Sequence, residues 1–543
     1  MAALLWGKVF HHRRYAGELR QEPGGGCAFT YDPAYIEGRG RPIAHTLPVT
    51  ATPYRHARGL HPFFDNLVAE GWLRSVQERA LGTEDRFALL LAFGRDCVGA
   101  VWVEDPDPAI EPRLDLADPE SIAAVRSRAS LSGVQPKLLV RRDGGSYRPT
   151  RAGEPSTHIA KLPSGSLTDI VELEYLTTLA TKALLPEDET VEVEVAPVRD
   201  ITEKALIVRR FDREAGEHTR HFEELAQLLG RQADDKYTGA YADMARFIRN
   251  TPACIPAEVE RLFRHILARF LLGDTDAHLK NFAMLHLEGG LRLAPSYDLI
   301  AASLYKPHFQ TLALTVAGAA NLDISKLKPK HIWGLAREFG LDEASATSAV
   351  TALGRRLDAA MAAIRRSAAA VDAGLLGGRL CERMLRRWNG TFASIGMLLV
   401  DEAIRRRKAL GLTQRRLGEL AGVSTPTVSR LEQAAKDIQL SSALAILEAL
   451  GMTARRTLIF PEPSERWAGT RDVVRFQAMD GSRRIDCAVS LEALEDHFRW
   501  EVDDPLAVLR ANRAAIEHRI RLKYLNGRLE PDGSLLLRSE DFG

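Results

Sequence analysis

Cysteine is scarce in this chain, and long apolar runs are missing from it. The five cysteines among 543 residues stand singly, their number is odd, and no C-x-x-C pair occurs. We therefore expect a reducing compartment, with neither a disulfide framework nor a zinc site. No apolar run reaches the roughly 20 residues that a membrane span needs. The apolar start Met1–Trp6 meets Lys8, His11 and Arg13 at once, which argues against a signal peptide and favours a cytoplasmic protein.

Charge of one sign is not in excess. The net charge is +1, so the whole chain is not a polyelectrolyte that binds nucleic acid by bulk charge, although a local basic patch remains open. A hydrophobic content of 45% and a charged content of 27% are ordinary for globular protein. A chain of this length exceeds one compact core, which predicts two to four domains.

Changes in pattern along the chain predict four units and a mixed α+β fold. The first is β-rich, the second carries the motifs described below, the third is all-helical, and the fourth is a small α/β domain. A proline-containing linker follows the first unit. The predicted bounds of the four units are 1–105, 125–380, 395–460 and 470–543.

The stretch with the most chemical content runs from Gly273 to Asn281 and reads GDTDAHLKN. It places Asp276 five residues before Asn281, and Asp298 follows 17 residues later. Protein kinases use this spacing, because one aspartate accepts the proton of the acceptor hydroxyl while the asparagine and the later aspartate hold Mg²⁺. An ordinary polar loop is the alternative for such a short pattern.

The surrounding pattern favours the kinase interpretation. Residues 261–272 have the apolar periodicity of a helix, and the polar stretch follows directly. Residues 282–286 and 291–294 then have strand character, with a Gly-containing turn between them. Helix, loop, hairpin and metal-binding aspartate is the order found in the larger lobe of a kinase.

A kinase also needs a lysine on the nucleotide phosphates. Residues 156–162 are strand-like and contain Lys161, which Glu172 or Glu174 on the next predicted helix could orient. A solvent-facing lysine on an edge strand is the alternative. Upstream, Ser130–Lys137 forms a short Gly-containing loop whose backbone amides could cradle phosphate oxygens.

Six separated motifs together resemble the HipA family of toxin kinases, and the resemblance covers about residues 1–380. They are SLSGVQPK from Ser130, HIAK ending at Lys161, VRRFDR from Val208, KYTG from Lys236, GDTDAHLKN from Gly273, and SYDL from Ser296. The resemblance implies a bacterial serine/threonine kinase with a two-lobed, protein-kinase-like fold and an N-terminal β-rich subdomain. It also implies ATP and Mg²⁺ as cofactors.

The same resemblance assigns site residues. It implies Asp276 as the general base, Asn281 and Asp298 as ligands of Mg²⁺, and Ser130 as the autophosphorylated serine. Contacts with ATP are implied for Ser132, Gly133, Val134, Gln135, Lys137, Lys161, Arg209, Phe211, His278 and Lys280. Two departures leave questions open: Arg209 replaces an acidic residue of some members, and Ser132 is a second serine that could be modified instead of Ser130.

Residues 412–432 have the pattern of a helix-turn-helix. Thr413 and Ser424 are predicted caps, Gly422 is the turn, and Leu417, Leu420, Ala421, Val428 and Leu431 are predicted to be buried. We expect the outward polar side chains of the two helices to contact DNA. These are Gln414, Arg415, Ser424, Thr425, Thr427, Ser429 and Arg430. A helical hairpin used for packing or dimerisation is the alternative.

This module resembles the Cro/C1-type helix-turn-helix of HipB antitoxins. The resemblance implies operator DNA as a partner, a homodimer, and repression of the chain's own operon. An internal start at Met397 that yields a separate antitoxin is a second interpretation of the fusion. Residues 470–543 resemble weakly a small domain family of unknown function.

The sequence therefore predicts a type II toxin–antitoxin serine/threonine protein kinase fused to a DNA-binding autorepressor. The resemblance makes an aminoacyl-tRNA synthetase one candidate for the protein acceptor. The main alternative is a DNA-binding transcriptional regulator whose kinase-like half is inactive, and a small-molecule kinase is a second alternative. The four side chains Lys161, Asp276, Asn281 and Asp298 favour the enzyme.

Overall fold

The structure is a computed structural model. It describes residues 4–108, 111–131, 133, 135–213, 219–393, 403–404, 406–408, 410–432, 438–450, 458, 460–461, 465–468, 472–480, 483–498, 504–525 and 528–542. Across these residues, none of the helices combines the length and apolar character that spanning a bilayer would require.

The N-terminal subdomain is a five-stranded sheet, ordered β4-β3-β2-β1-β5, with four helices. Its elements are β1 (Trp6–His11), β2 (Arg14–Gln21), β3 (Cys27–Tyr31), α1 (Pro33–Glu37), β4 (Tyr54–His56), α2 (Pro62–Asp65), α3 (Gly71–Leu81), α4 (Arg86–Phe93) and β5 (Val101–Glu104). Strand β2 escaped the sequence analysis, because its polar residues give little of the apolar signal that strands usually carry.

The smaller lobe is built around a five-stranded barrel, ordered β10-β8-β6-β7-β9. Its elements are α5 (Pro119–Ser127), β6 (Lys137–Asp143), β7 (Ser146–Pro149), β8 (His158–Lys161), α6 (Ile170–Leu184), β9 (Val193–Val198) and β10 (Thr202–Arg209). One apolar core joins this barrel to the N-terminal subdomain, since Val9, Phe64 and Leu139 belong to the same buried cluster.

The larger lobe is mainly helical and holds a small sheet, ordered β11-β12-β13. Its elements are β11 (Phe222–Glu224), α7 (Leu225–Leu228), α8 (Tyr241–Asn250), α9 (Glu258–Leu272), β12 (Ala283–Leu287), β13 (Gly290–Leu293), α10 (Pro329–Glu338), α11 (Glu343–Arg355), α12 (Leu357–Ala370) and α13 (Gly374–Arg387). The predicted order of helix, loop and hairpin is present as α9, the polar loop, β12 and β13.

Two smaller units follow. The helix-turn-helix unit contains α14 (Gln414–Ala421), α15 (Thr425–Glu432) and α16 (Leu440–Ala449). The last unit is a four-stranded sheet with helices, made of β14 (Arg466–Ala468), β15 (Val473–Asp480), β16 (Arg483–Ser490), α17 (Leu491–Phe498), α18 (Pro505–Ala511), α19 (Arg513–Leu525) and β17 (Leu535–Leu537). It packs on the larger lobe, where Arg519 pairs with Glu260 at 2.8 Å and Ile255 joins its core.

Candidate active site and DNA-binding interface

Helix α9 ends directly before the polar loop at the centre of the site. Gly273 ends the helix with a φ of +87°, a left-handed conformation that glycine adopts without strain. The polar loop then runs to Asn281. The last three residues of the loop, Leu279–Asn281, form a short 3₁₀ turn before β12. The loop is therefore fixed at both ends by regular structure.

Arg269, in the last turn of α9, holds this loop against the segment of Asp298. Arg269 as a residue is 1% exposed. It donates hydrogen bonds to the carboxylate of Asp274 and to the backbone oxygens of Asn281, Tyr297 and Asp298, at 2.5, 3.1, 2.7 and 3.1 Å. One buried cation thus joins the two segments that carry the predicted base and metal ligands.

Asp276 lies beside these segments with its carboxylate held by a tyrosine. The hydroxyl of Tyr237 donates to Asp276 Oδ1 at 2.8 Å, and the amide of Asp276 donates to Asp274 Oδ1 at 3.1 Å. Burial raises the pKa of Asp276 above its usual value, while the Tyr237 hydrogen bond opposes that rise. An oriented carboxylate with a raised pKa is suited to accept a proton.

Asn281 and Asp298 bring their polar groups to the same place. The amide of Asn281 donates to the backbone oxygens of Asp276 and Asp298 at 3.3 and 3.4 Å. Asn281 Oδ1 is buried and has no hydrogen-bond partner among the described residues. Asp298 adopts a φ of +49°, an uncommon backbone conformation for a residue with a side chain. A buried amide oxygen without a partner, on a side chain that contacts the Asp298 backbone, fits a ligand of a hard cation such as Mg²⁺.

Lys161 reaches this group from the smaller lobe. Its ammonium forms ion pairs with both Glu174 and Asp298, although 137 positions separate Lys161 from Asp298. Burial opposes its charge, but the two carboxylates outweigh burial and raise the pKa of Lys161. Of the two candidate partners, Glu174 is the one in contact, because Glu172 pairs with Lys204 instead.

The Gly-containing loop lies over the same side of the site. Gly133 has a φ of +106°, and a Cβ at this position would collide with Lys137 Nζ. Lys137 is buried, and this burial lowers its pKa, while Asp298 opposes the shift. Gln135 donates to the backbone oxygen of Leu162 at 2.8 Å. The predicted contacts at Ser132 and Val134 lie outside the described residues.

Lys280 is held on the side of the loop that faces the N-terminal subdomain. It is buried, and its ammonium lies 3.1 Å from Glu70, 2.9 Å from Glu224 and 2.8 Å from the side-chain oxygen of Asn66. Burial opposes its charge, but Glu224 and Glu70 raise its pKa. The ammonium therefore pairs with carboxylates, and its predicted contact with ATP stays a prediction.

His278 is the neighbouring predicted phosphate contact. Its ring packs edge-on against Tyr237, with 4.9 Å between the centroids, and its Nδ1 accepts from the amide of Lys280. Burial and the adjacent lysines lower the pKa of His278 to about 3. The imidazole is therefore neutral near pH 7 and would meet a phosphate as a hydrogen-bond donor rather than as a charge.

Arg209 and Phe211 lie where β10 leaves the smaller lobe. The Arg209 side chain is exposed and pairs with Glu192 at 2.9 Å, while its backbone amide donates to Glu192 O. Phe211 packs against Phe222 and Tyr297, with centroid distances of 4.9 and 5.6 Å. The arginine thus points to a surface glutamate, which leaves the backbone as the part of Arg209 that could meet a base.

Ser130 is buried in this structure. Its hydroxyl donates to the backbone oxygen of Leu67 at 2.5 Å, and its amide donates to Asp96 O at 3.2 Å. With 3% exposure, the hydroxyl is out of reach of a phosphate donor unless the segment moves. The structure therefore represents a conformation in which Ser130 is protected.

The helix-turn-helix has the predicted caps and turn. Thr413 Oγ1 accepts from the amide of Arg416 at 3.1 Å, Gly422 has a φ of +64°, and Ser424 Oγ accepts from the amide of Thr427 at 3.3 Å. Leu417, Val428 and Leu431 are buried as predicted. Leu420 was predicted wrongly, because it is 52% exposed on the outer side of α14.

Several predicted DNA contacts have partners within the protein. Gln414 donates to Glu432 at 2.7 Å, Arg415 pairs with Glu419 at 3.2 Å, and the hydroxyls of Ser424 and Thr427 share a hydrogen bond of 2.7 Å. Arg430 is exposed, whereas Thr425, Thr427 and Ser429 are partly exposed. All of them lie on α14, α15 or the turn between these helices.

Family models match most of this architecture. A HipA N-terminal domain matches residues 7–104, and a HipA-like C-terminal domain matches residues 129–361. The chain belongs to the HipA family. Beyond its HipA domains, a helix-turn-helix model matches residues 404–455, and a model described as a protein of unknown function (DUF1488) matches residues 458–537. The chain is thus a HipA-like kinase-family protein fused to a helix-turn-helix module.

Individual relatives agree with this assignment. The chain is 28% identical over 355 residues to Y4mE of Sinorhizobium fredii, covering 58% of this chain and 81% of that protein. It is 25% identical over 366 residues to the serine/threonine-protein kinase toxin HipA of Shewanella oneidensis, covering 60% and 81%. A solved complex of Shewanella oneidensis HipA, HipB and operator DNA shares the fold, with a TM-score of 0.58, 22% identity and coverage of 72% and 99%.

Three features of the HipA-like site were absent from the sequence analysis. Arg269 carries no motif signal, because it reads as one more polar residue of a helix. Tyr237 lay within the quoted KYTG motif, but its hydrogen bond to Asp276 depends on tertiary folding. Glu70 lies in the N-terminal subdomain, and nothing in one sequence links it to Lys280.

Proposed function

We propose that this chain is an ATP-dependent serine/threonine protein kinase of the type II toxin–antitoxin kind, which carries its own operator-binding autorepressor. The main support is the convergence of Lys161, Asp276, Asn281 and Asp298, since a lysine of one lobe pairs directly with an aspartate of the other. This convergence is what phosphoryl transfer needs, because the reaction depends on positioning and on charge stabilisation.

Each side chain has one role in this proposal. Asp276 accepts the proton of the acceptor hydroxyl as that oxygen attacks the γ-phosphorus of ATP, while the bond from this phosphorus to the β,γ-bridging oxygen breaks and ADP leaves. Lys161, oriented by Glu174, binds the nucleotide phosphates, and the loop around Gly133 closes over them. Asn281 and Asp298 would hold Mg²⁺, which supplies positive charge to the transferring phosphoryl group when bound. Gln135, Lys137, His278 and Lys280 complete the phosphate side, while the backbone at Arg209 and Phe211 lies near the adenine.

Ser130 is the proposed site of autophosphorylation. A phosphate would add about −1.5 to −2 charges at pH 7. The buried hydroxyl, which donates to Leu67 O, has no room for this group. Modification would therefore keep the loop out of the site and switch the kinase off. Phosphopeptide mass spectrometry after brief induction tests this, and a phosphate on Ser132 alone would contradict it.

The kinase is tested by expressing the chain and its Asp276→Ala variant in bacteria. We expect growth arrest from the unmodified chain, and labelling of a protein band when lysate receives the purified chain and labelled ATP. An aminoacyl-tRNA synthetase is the acceptor to look for first. Asp276→Ala should lose both effects, whereas Asp358→Ala, which alters an exposed aspartate on α12, should keep both. Equal arrest by all three chains would favour a transcriptional regulator with an inactive kinase domain.

The proposed DNA contacts come from α14, α15 and the turn between them. Gln414, Arg415 and Arg430 are proposed to contact the DNA backbone, and Ser424, Thr425, Thr427 and Ser429 to face the bases. A homodimer would present two such units to two half-sites about one helical turn apart.

A further inference from the structure

A second cluster of chemically competent side chains lies where β11 meets β12, on the strand face opposite Phe222 and Glu224. His221 and Glu223 are two residues apart, which puts both side chains on one face of the strand. The amide of His286 donates to the backbone oxygen of His221 at 2.9 Å, so these two residues are cross-strand neighbours. One possible ligand atom from each of the three side chains lies within 4.8 Å of the others.

The carboxylate in this cluster is buried without full compensation. Glu223 is 0% exposed, and its Oε1 contacts the amide of His45 at 2.7 Å and His286 Nε2 at 2.8 Å. Its Oε2 has no hydrogen-bond partner among the described residues. Within that part of the chain, Glu223 forms an ion pair with His286 and with no lysine or arginine. A buried carboxylate normally has a cationic partner. Among the described residues, Glu223 has only the His286 imidazole in that role, and its Oε2 has no partner.

His221 and His11, beside Glu223, each have one ring nitrogen without a hydrogen-bond partner among the described residues. His221 is 4% exposed, and its Nε2 has no hydrogen-bond partner in the described structure, while its Nδ1 accepts a long hydrogen bond of 3.4 Å from Ala100. His11 packs against it with 5.0 Å between centroids, and His11 Nε2 is also unpartnered. Burial lowers the pKa of His11 to about 3 and that of His221 well below its usual value. Both rings are therefore neutral, which is the charge state that binds metals, and ligation through His221 Nε2 requires the tautomer that gives up the 3.4 Å contact of Nδ1 with the Ala100 amide.

We propose that His221, Glu223 and His286 bind one divalent transition-metal ion, for which zinc is the best match. Imidazole nitrogens suit zinc, whereas Mg²⁺ and Ca²⁺ prefer all-oxygen sets. Three protein ligands leave a fourth position for water or for His11. Tetrahedral zinc with bonds of about 2.0–2.2 Å holds its ligand atoms about 3.4 Å apart, so a modest closure of the three side chains completes the site.

This site would join two parts of the chain. The backbone of His45 and Ala100, both in the N-terminal subdomain, contacts Glu223 and His221 in the larger lobe. An ion at this point would therefore stabilise that junction. The expectation against zinc rested on the spacing of cysteines, whereas histidines from two strands form this cluster. The proposal does not depend on the kinase assignment.

The test uses the untagged full-length chain, stripped of metal by a chelator and returned to buffer with millimolar Mg²⁺. The Mg²⁺ occupies oxygen-rich sites such as Asn281 and Asp298. Zn²⁺ is then titrated against a chromophoric competitor, and Co²⁺ is added separately to give a visible spectrum of tetrahedral coordination. We expect one tight Zn²⁺ per chain, a tetrahedral Co²⁺ spectrum, and a higher Tm with zinc.

His286→Ala and Glu223→Gln should each weaken Zn²⁺ binding at least about 10²-fold, more than the loss typical of residues that only support a ligand. Glu223→Gln keeps an oxygen for the His45 amide, so its circular dichroism spectrum should match that of the unmodified chain. His308→Ala, which removes an exposed histidine, should bind zinc normally. No tight site in the unmodified chain, or equal affinity in all the variants, would overturn the proposal.

Discussion

Arg269→Lys offers the sharpest test of how the polar loop Gly273–Asn281, the proposed catalytic loop, is held. Arg269 uses two nitrogens to make four hydrogen bonds, one to a carboxylate and three to backbone oxygens. A lysine keeps the charge beside Asp274 but has a single nitrogen, so it cannot reach both loop segments together. We therefore expect the ion pair to survive and the positions of Asn281 and Asp298 to relax.

The magnitudes follow from this geometry. Removing one partner of a buried ion pair costs about 3–5 kcal/mol, which sets the expectation for Arg269→Ala. Arg269→Lys should cost less, about 1–3 kcal/mol, because only hydrogen bonds to neutral carbonyls are lost. A displacement of about 1 Å at the reacting groups can lower kcat about 10²-fold, which we expect for the lysine variant.

The assay compares kcat for phosphorylation of a protein acceptor with thermal unfolding of the full chain. Arg264→Lys is the matched control, because Arg264 lies on the same helix, is also buried, and binds Asp188 at 2.8 Å. Its described hydrogen bonds go to Asp188 and none goes to the catalytic loop. Arg264→Lys should lower Tm while keeping kcat within a few-fold. Equal losses of kcat in both lysine variants, at equal losses of Tm, would refute loop positioning by Arg269.

Three further predictions concern other contacts. Burial opposes ionisation of Glu70, but its lysine partners lower its pKa from 4.5 to about 2, so its stabilisation is present above pH 4.5 and is lost as pH falls toward 2. Glu70→Gln should flatten that part of the curve of Tm against pH, and an unchanged slope would contradict this. In operator-binding titrations, Arg430→Ala should weaken binding to all sequences alike, whereas Thr427→Ala should alter preference at particular bases by about 1–3 kcal/mol; unchanged affinity in both would remove α15 from the interface. Arg519→Ala should remove the ion pair with Glu260, so that limited proteolysis separates the last domain from the chain earlier. An unchanged digestion pattern would show that this ion pair does not hold the domain.

Local spacing explains what the sequence could predict about the site. Asp276 and Asn281 belong to one short loop, and the helix before it and the hairpin after it each have a clear period. The caps and the turn of the helix-turn-helix are also local, since Thr413 bonds an amide three residues away and Gly422 needs only its own φ. Features that depend on a few consecutive residues can be predicted from a single sequence.

Side-chain contacts between segments that are distant in the sequence could not be predicted in the same way. Glu174 was the candidate partner of Lys161 with Glu172 as its alternative, because both lie near the start of α6 and only the approach of β8 to α6 distinguishes them. Leu420 was assigned to the buried side of α14 by its spacing from Leu417, but α14 is covered by neighbours along a narrower stripe. In each case the outcome depends on which element packs against a given face of the helix. The period of the sequence does not identify that element.

Helix α9 shows the physical reason most clearly. Its apolar residues predict a helix with one buried face and a polar face in water, yet every residue from Glu258 to Leu272 is buried. The polar face is covered because Asp188 pairs with Arg264, the last domain pairs with Glu260, and the catalytic loop covers Arg269. A charged residue on such a helix is indistinguishable in sequence from a solvated one. Polar residues that organise a site from beneath are therefore the ones that sequence reasoning loses first, and here Arg269 is that residue.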